Sequence, residues 1–267
     1  MKSSMTLTSL AKSFWPLFLL VGCATDIDYK IPSHRFVDPE TRGTSVLKGE
    51  YSGFGQFSYQ SNTKHIMTEV YDLGVFGTSI NEDQAFEKTG NMGLQAGLGI
   101  IPEVDFIYRD NGDSPRMGLL KVQILGSGFN KLQEEFKLAF WAGLGSMNED
   151  EGVMRITNEN QSELFNGRIE VSPWELGFSF GQRLSSRSLA YMNIVYAKYA
   201  SESKLTSTSR ADTTITGDIK QQAIALGLKL HQQHISCHIE AGYTQIEWDD
   251  SLEHKMASLG VGVSVEF

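Results

Sequence analysis

The chain closes on ASLGVGVSVEF, residues 257–267, and this stretch decides how the rest is read. Odd positions are apolar: Ala257, Leu259, Val261, Val263, Val265 and Phe267. Even positions are small or charged: Ser258, Gly260, Gly262, Ser264 and Glu266. A period of two places successive side chains on opposite faces of a strand, so this strand carries one apolar face and one polar face. Whether the apolar face meets a protein core or lipid depends on the other segments.

From about residue 91 the pattern recurs. NMGLQAGLGI (91–100) sets Met92, Leu94, Ala96 and Leu98 against Gly93, Gln95, Gly97 and Gly99. FKLAFWAGLG (136–145), WELGFSFGQRL (174–184), QAIALGLKL (222–230) and ISCHIEAGYT (235–244) repeat it. A soluble β-sandwich turns its apolar face inward and crowds its outer face with charges. Here the polar face mixes Gly, Ser and Ala with charges of both signs, which suits the inside of a narrow barrel. Aromatic residues fall near segment ends (Tyr108, Trp174, Tyr243, Trp248, Phe267), as interfacial girdles do. The links also alternate. SSRS (185–188) and HQQH (231–234) are tight, whereas 148–167, 201–218 and 248–255 are longer and polar. Short inner turns and longer outer loops are the habit of membrane-spanning barrels.

The expected fold is therefore all-β: a closed antiparallel transmembrane up-and-down barrel over residues 44–267. Nine strands are counted from residue 91, and EYSGFGQFSYQ (50–60) supplies the tenth. Residues 61–89 are read as an outer loop or strand extension, and twelve strands is the alternative. The polar faces nominate Glu103, Asp105, Arg109, Lys121, Lys137, Glu175, Arg183, Lys229, His238, Glu240 and Glu266 as lumen charges.

At the other end, residues 1–13 carry Lys2 and Lys12 without an acid, and the apolar run FWPLFLLVG (14–22) follows. That is an export signal, too short to span a bilayer. It ends in LVGC (20–23), which resembles the lipobox of bacterial lipoprotein precursors. The resemblance implies that residues 1–22 are removed, that Cys23 becomes the lipidated first residue, and, with Ala24 behind it, that the product goes to the outer membrane. Residues 23–43, rich in polar residues with Pro32 and Pro39, are read as a flexible tether to a lipid on the periplasmic side. The final strand with its terminal Phe267 resembles the C-terminal signature of bacterial outer-membrane β-barrel proteins, which implies recognition by the barrel-assembly machinery.

Composition narrows the function. The 267 residues carry a formal charge of −9, which becomes −11 once Lys2 and Lys12 are removed, so no basic footprint for nucleic acid exists. With Cys23 modified, Cys237 stands alone and no internal disulfide is expected. HQQH has a three-residue histidine spacing without a cysteine or carboxylate cluster, so a solvated turn is favoured over a metal site. His238 and Glu240 share the polar face; an interior network with Lys229 or Arg183 is favoured over an acid/base pair. No GxSxG, P-loop or HExxH motif occurs. No cofactor and no metal is expected, and the partners are outer-membrane lipid and lipopolysaccharide around a monomer. A surface scaffold or narrow channel is the leading function. The alternative is a protease or lipid-modifying enzyme at the extracellular rim, where Asp110, Asp113, Asp249, Asp250, Glu253 and His254 gather.

Overall fold

A computed structural model describes residues 23–74, 77–158, 161–207, 213–249 and 252–267. The expected signal, residues 1–22, lies outside them. Eleven strands form one antiparallel sheet. They are β1 (Cys23–Pro32), β2 (Gly53–Gly74), β3 (Gly77–Ile101), β4 (Val104–Asp110), β5 (Arg116–Leu125), β6 (Phe136–Asn158), β7 (Gln161–Ser185), β8 (Ser188–Ser207), β9 (Thr213–Gln232), β10 (Ile235–Trp248) and β11 (Leu252–Glu266). Each of β2 to β11 pairs with its sequence neighbour, and β2 also pairs with β11 from Phe54–Glu266 to Gln60–Gly260. That last pairing closes a ten-stranded up-and-down barrel, so the sheet has no free edge over this height.

Side chains alternate as the sequence demands. Leu259, Val261, Val263, Val265 and Phe267 are exposed on the outer wall of β11, while Ser258, Ser264 and Glu266 are buried inside. The same split recurs around the barrel, with Leu94, Phe106, Leu120, Leu176, Phe178, Ile194, Leu226 and Ile239 all outward. An exterior this apolar and continuous far exceeds what a protein surface in water leaves uncovered.

Two expectations are corrected. Residues 148–167 and 201–218 are not simple loops. Their described parts continue as strand: β6 and β7 reach 23 and 25 residues, with Asn158 paired to Gln161, and β8 and β9 extend to Ser207 and from Thr213. Of the two readings of residues 61–89, the strand extension holds: their described part forms the upper halves of β2 and β3, paired from Gly53–Leu98 to Gly74–Gly77. A membrane-spanning strand needs only about 9–11 residues, so these hairpins rise well above the apolar belt. Trp248, expected in a girdle, is instead buried inside that upper wall with Ile169, Val171, Tyr199, Ile219 and Ile246. Trp174 does sit partly exposed on the outer wall, its ring 5.5 Å from that of Tyr196.

The largest correction concerns the expected tether. Residues 24–32 belong to β1, which pairs with the upper half of β2 from Cys23–Tyr71 to Pro32–Asn62. Residues 33–42 then run down the inside of the barrel, every one of them buried. The composition of this segment is polar enough for a free linker; what orders it is the wall it faces.

Candidate functional site

The site is the lumen and the segment within it. Going down from the mouth, Tyr29 and Ile31 project into the apolar cluster formed by the upper walls of β6 to β10. Lys30, pointing the other way, donates through Nζ to Asp113 in the β4–β5 loop at 2.6 Å. Below this cap the lumen becomes ionic. Arg35 donates Nε to Glu175 Oε2 at 2.9 Å and Nη2 to Gln221 Oε1 at 2.7 Å. Glu175 also receives Arg109 Nη2 at 2.8 Å and the indole N–H of Trp141 at 3.1 Å. His34 lies with Nδ1 3.1 Å from Glu240, whose other oxygen accepts from Tyr191 at 2.9 Å and Asn193 at 3.1 Å.

One level lower, Asp38 accepts from Lys229 at 2.8 Å, and Lys121 pairs with Asp105 at 3.1 Å. Glu40 takes Arg183 in a two-pronged contact, with Nε to Oε1 at 2.6 Å, and has Lys137 at 3.4 Å. Arg42 pairs with Glu266, which also receives Lys229 at 2.9 Å, and its backbone N–H donates to Asp105 at 2.9 Å. Isolated buried charges cost several kcal/mol each, so a segment bearing four of them enters a lumen only if the wall supplies opposite partners. Here it does at every position: Arg35 meets Glu175, Asp38 meets Lys229, Glu40 meets Arg183, and Arg42 meets Glu266.

Apolar contacts and glycine complete the fit. Val37 packs with Phe54, Ile107, Leu119 and Trp141, while Ser179 Oγ donates to its carbonyl at 3.0 Å. The ring of Trp141 lies on Gly177 of β7, where a Cβ would fall inside the indole's van der Waals radius. Phe36 turns with φ 50, a costly left-handed conformation for a bulky residue, and sits over Gly260 between His34 and His238. At the lower exit Thr41 donates its backbone N–H to Gln123 at 2.8 Å, and its carbonyl accepts from Phe129 at 2.7 Å. Gly43, at φ 73, leaves the lumen directly against Asn130, which donates to the Gly43 carbonyl at 2.8 Å. The space left beside Asp38, Gln56, Gln95 and Glu266 is a cavity of about 10 Å³, room for one water.

Of the eleven lumen charges expected from sequence, ten are buried within the barrel: Asp105, Arg109, Lys121, Lys137, Glu175, Arg183, Lys229, His238, Glu240 and Glu266. Glu103 is the exception. It sits exposed in the two-residue turn after β3, on a vestibule of about 170 Å³ at the lower end, because the turn breaks the alternation there. Phe267 is 70% exposed on the outer wall, tied to Gly53 by paired backbone hydrogen bonds of 2.8 and 3.0 Å. The backbone of Cys23 lies at the top of β1; its side chain is outside the described part. Cys237 is exposed and free.

His34, Arg35, Asp38, Glu40 and Arg42 were missed as site residues. The stretch SHRFVDPETR (33–42) shows its charges openly, but a run of mixed charge before a barrel looks like any solvated linker.

The residues that suggested a rim enzyme are engaged otherwise. Asp110 pairs with Arg116 at 3.2 Å and Asp113 with Lys30. Asp249 accepts from the Asp218 backbone at 3.1 Å, and Glu253 takes Lys255 at 2.7 Å. Asp250 lies outside the described residues. His254 stacks 5.9 Å from Phe86, and burial there lowers its pKa. Ser264 Oγ and His238 Nε2 stand 3.3 Å apart, a nucleophile–base combination by residue type, but on a cavity the size of one water they have no substrate space. Among the described residues no group of three His, Cys, Asp or Glu is placed to hold a metal.

No family model and no curated protein sequence matches the chain. Solved structures do resemble it. Ail, the attachment invasion locus protein of Yersinia pestis, solved with the heparin analogue sucrose octasulfate, matches at 11% identity over 81% of this chain and 98% of its own, with a TM-score of 0.36. OmpT, an outer-membrane protein of Vibrio cholerae, matches at 8% identity over 82% and 97%, with a TM-score of 0.23. The outer-membrane channel DcaP of Acinetobacter baumannii matches at 8% over 82% and 96%, also at 0.23. What this chain itself declares is a closed ten-stranded barrel, apolar outside, with a charged lumen filled by its own N-terminal segment.

Proposed function

We propose that this protein is a bacterial outer-membrane β-barrel whose lumen is sealed by residues 33–42, and that it serves as a surface scaffold rather than an open channel. The single observation behind this reading is that Arg35, Asp38, Glu40 and Arg42 each meet an opposite charge on the wall. Counting both surfaces, seven cationic side chains (Arg35, Arg42, Arg109, Lys121, Lys137, Arg183, Lys229) face six carboxylates (Asp38, Glu40, Asp105, Glu175, Glu240, Glu266), with His34 beside Glu240. A near-neutral interior packed with these buried pairs leaves a permeating ion no wide path.

Membrane insertion is supported by the outward belt of Leu, Ile, Val and Phe, since hydrocarbon admits only closed barrels or helices. The extended hairpins supply the displayed surface. Their length fits the outer side, because the opposite end carries the tight turns at 102–103, 186–187 and 233–234 and the short segments 43–52 and 126–135.

Planar-bilayer recording of the refolded barrel tests the reading. The full chain should give a flat trace. A variant lacking Ser33–Arg42, first checked for heat-modifiable migration, should give stepwise conductance. Stable open steps from the full chain would refute the sealed lumen.

A further inference from the structure

The direction of the lumen segment carries a consequence for topology. Chain order, burial and pairing all run one way: β1 pairs with the upper half of β2, Arg35 lies at the level of Tyr199 and Gln221, and Arg42 lies at the level of Glu266 near the lower turns. The chain leaves the lumen at Gly43, makes a 3-10 turn over Val46–Lys48 and enters β2 beside Phe267. The polypeptide therefore passes through the barrel once before it forms the wall. Its N-terminal strand ends on the side of the long hairpins.

We infer that the mature N terminus is displayed on the cell surface, the reverse of a periplasmic lipid tether, and that a lipid on Cys23 would face the outer leaflet or beyond. This rests on the membrane-barrel reading above, with the tight turns in the periplasm.

Distances make the periplasmic alternative untenable. In β1, Cys23 stands opposite Tyr71, twelve residues beyond Tyr59 along β2, which is about 40 Å at strand rise. Tyr59, facing outward and 54% exposed, is the highest aromatic of the apolar belt on that strand. If β1 unpairs, the nine-residue step from Pro32 to Cys23 reaches roughly 30 Å from the mouth. That is enough to come down to the outer leaflet. To return to the inner leaflet the chain would need a second passage through a lumen already occupied by residues 33–42.

An epitope inserted after Ala24 and another after Gly49, in separate chains, test the inference on whole cells. The first should bind antibody on intact cells, and the second only once the outer membrane is permeabilised. The reverse pattern, or an epitope after Ala24 reached only on permeabilisation, overturns the inference while heat-modifiable migration keeps the barrel reading intact. Absence of heat-modifiable migration in the untagged chain would overturn both. Should the insertions block folding, Thr25→Cys and Lys48→Cys in a Cys237→Ser, Cys23→Ala background give the same readout with a membrane-impermeant maleimide. Labelling of the Lys48→Cys chain but not the Thr25→Cys chain on intact cells refutes the inference.

Discussion

Arg35 and Glu175 are separated by 140 residues in sequence, yet Nε of the first donates to Oε2 of the second at 2.9 Å with both side chains buried. Glu175 is the joint of the upper lumen, because Arg109 and Trp141 reach it too. Glu175→Gln keeps the shape and removes the charge that two guanidinium groups share. Breaking a buried pair on one side costs about 3–5 kcal/mol, and the variant is expected to lose that much. Urea titration of the refolded barrel, followed through indole emission and the gel shift, measures it; a loss below about 1 kcal/mol would refute the joint role, since that is the range of an exposed pair.

Glu40 and Arg183 form a two-pronged contact between the lumen segment and β7. Glu40→Arg should destabilise strongly, since Lys137 stands 3.4 Å from the same carboxylate. Adding Arg183→Glu should recover part of the loss. A double-mutant cycle should return a coupling of about 1–3 kcal/mol, the range for residues in one network. Zero coupling would mean that the segment is not held at this place.

Gly177 faces the Trp141 indole, whereas a Cβ at Gly55 would meet nothing within 4 Å. Gly177→Ala therefore forces the indole off Val37 and is expected to cost about 1–3 kcal/mol, as overpacking does. Gly55→Ala should be tolerated. Equal midpoints for the two variants in urea would contradict the packing described here.

Glu135 lies in the lower turn, outside the belt, and its pKa is lowered to about 2 by hydrogen bonds from Ser127 and by Lys137 at 3.2 Å. A carboxylate whose folded pKa lies below its unfolded value favours folding fully above the unfolded value near 4.5, and the benefit fades as pH falls through the folded one. Amide protection in residues 126–135 should therefore weaken as pH drops from about 4.5 towards 2, and Glu135→Gln should abolish that dependence. Hydrogen exchange over this range decides it; an unchanged profile in Glu135→Gln would assign the effect to other carboxylates.

Sequence by itself determined the wall. Alternation of period two in each segment fixes which side chains look outward, because a one-residue slip would invert the whole strand. That is why Lys121, Glu175, Lys229 and Glu266 were legible as interior charges before any fold was known, and why Glu103, at a turn where the period lapses, was not. Strand extension in the described parts of 148–167 and 201–218 escaped notice for the opposite reason. Residues 148–167 and 201–218 are mostly polar, with their few apolar residues scattered outside a sustained period of two, so they lack the contrast that marks the lower halves.

Only the tertiary structure decided what fills the lumen. SHRFVDPETR has no period and no apolar face, and by composition it belongs in water. Its order comes from charged wall partners 63 to 224 residues away, from Asp105 to Glu266, which become neighbours only once ten strands have curled into a cylinder. Charge complementarity between a segment and a closed wall is a property of the assembled surface. No local pattern encodes it, because each pair costs free energy until both members are buried together.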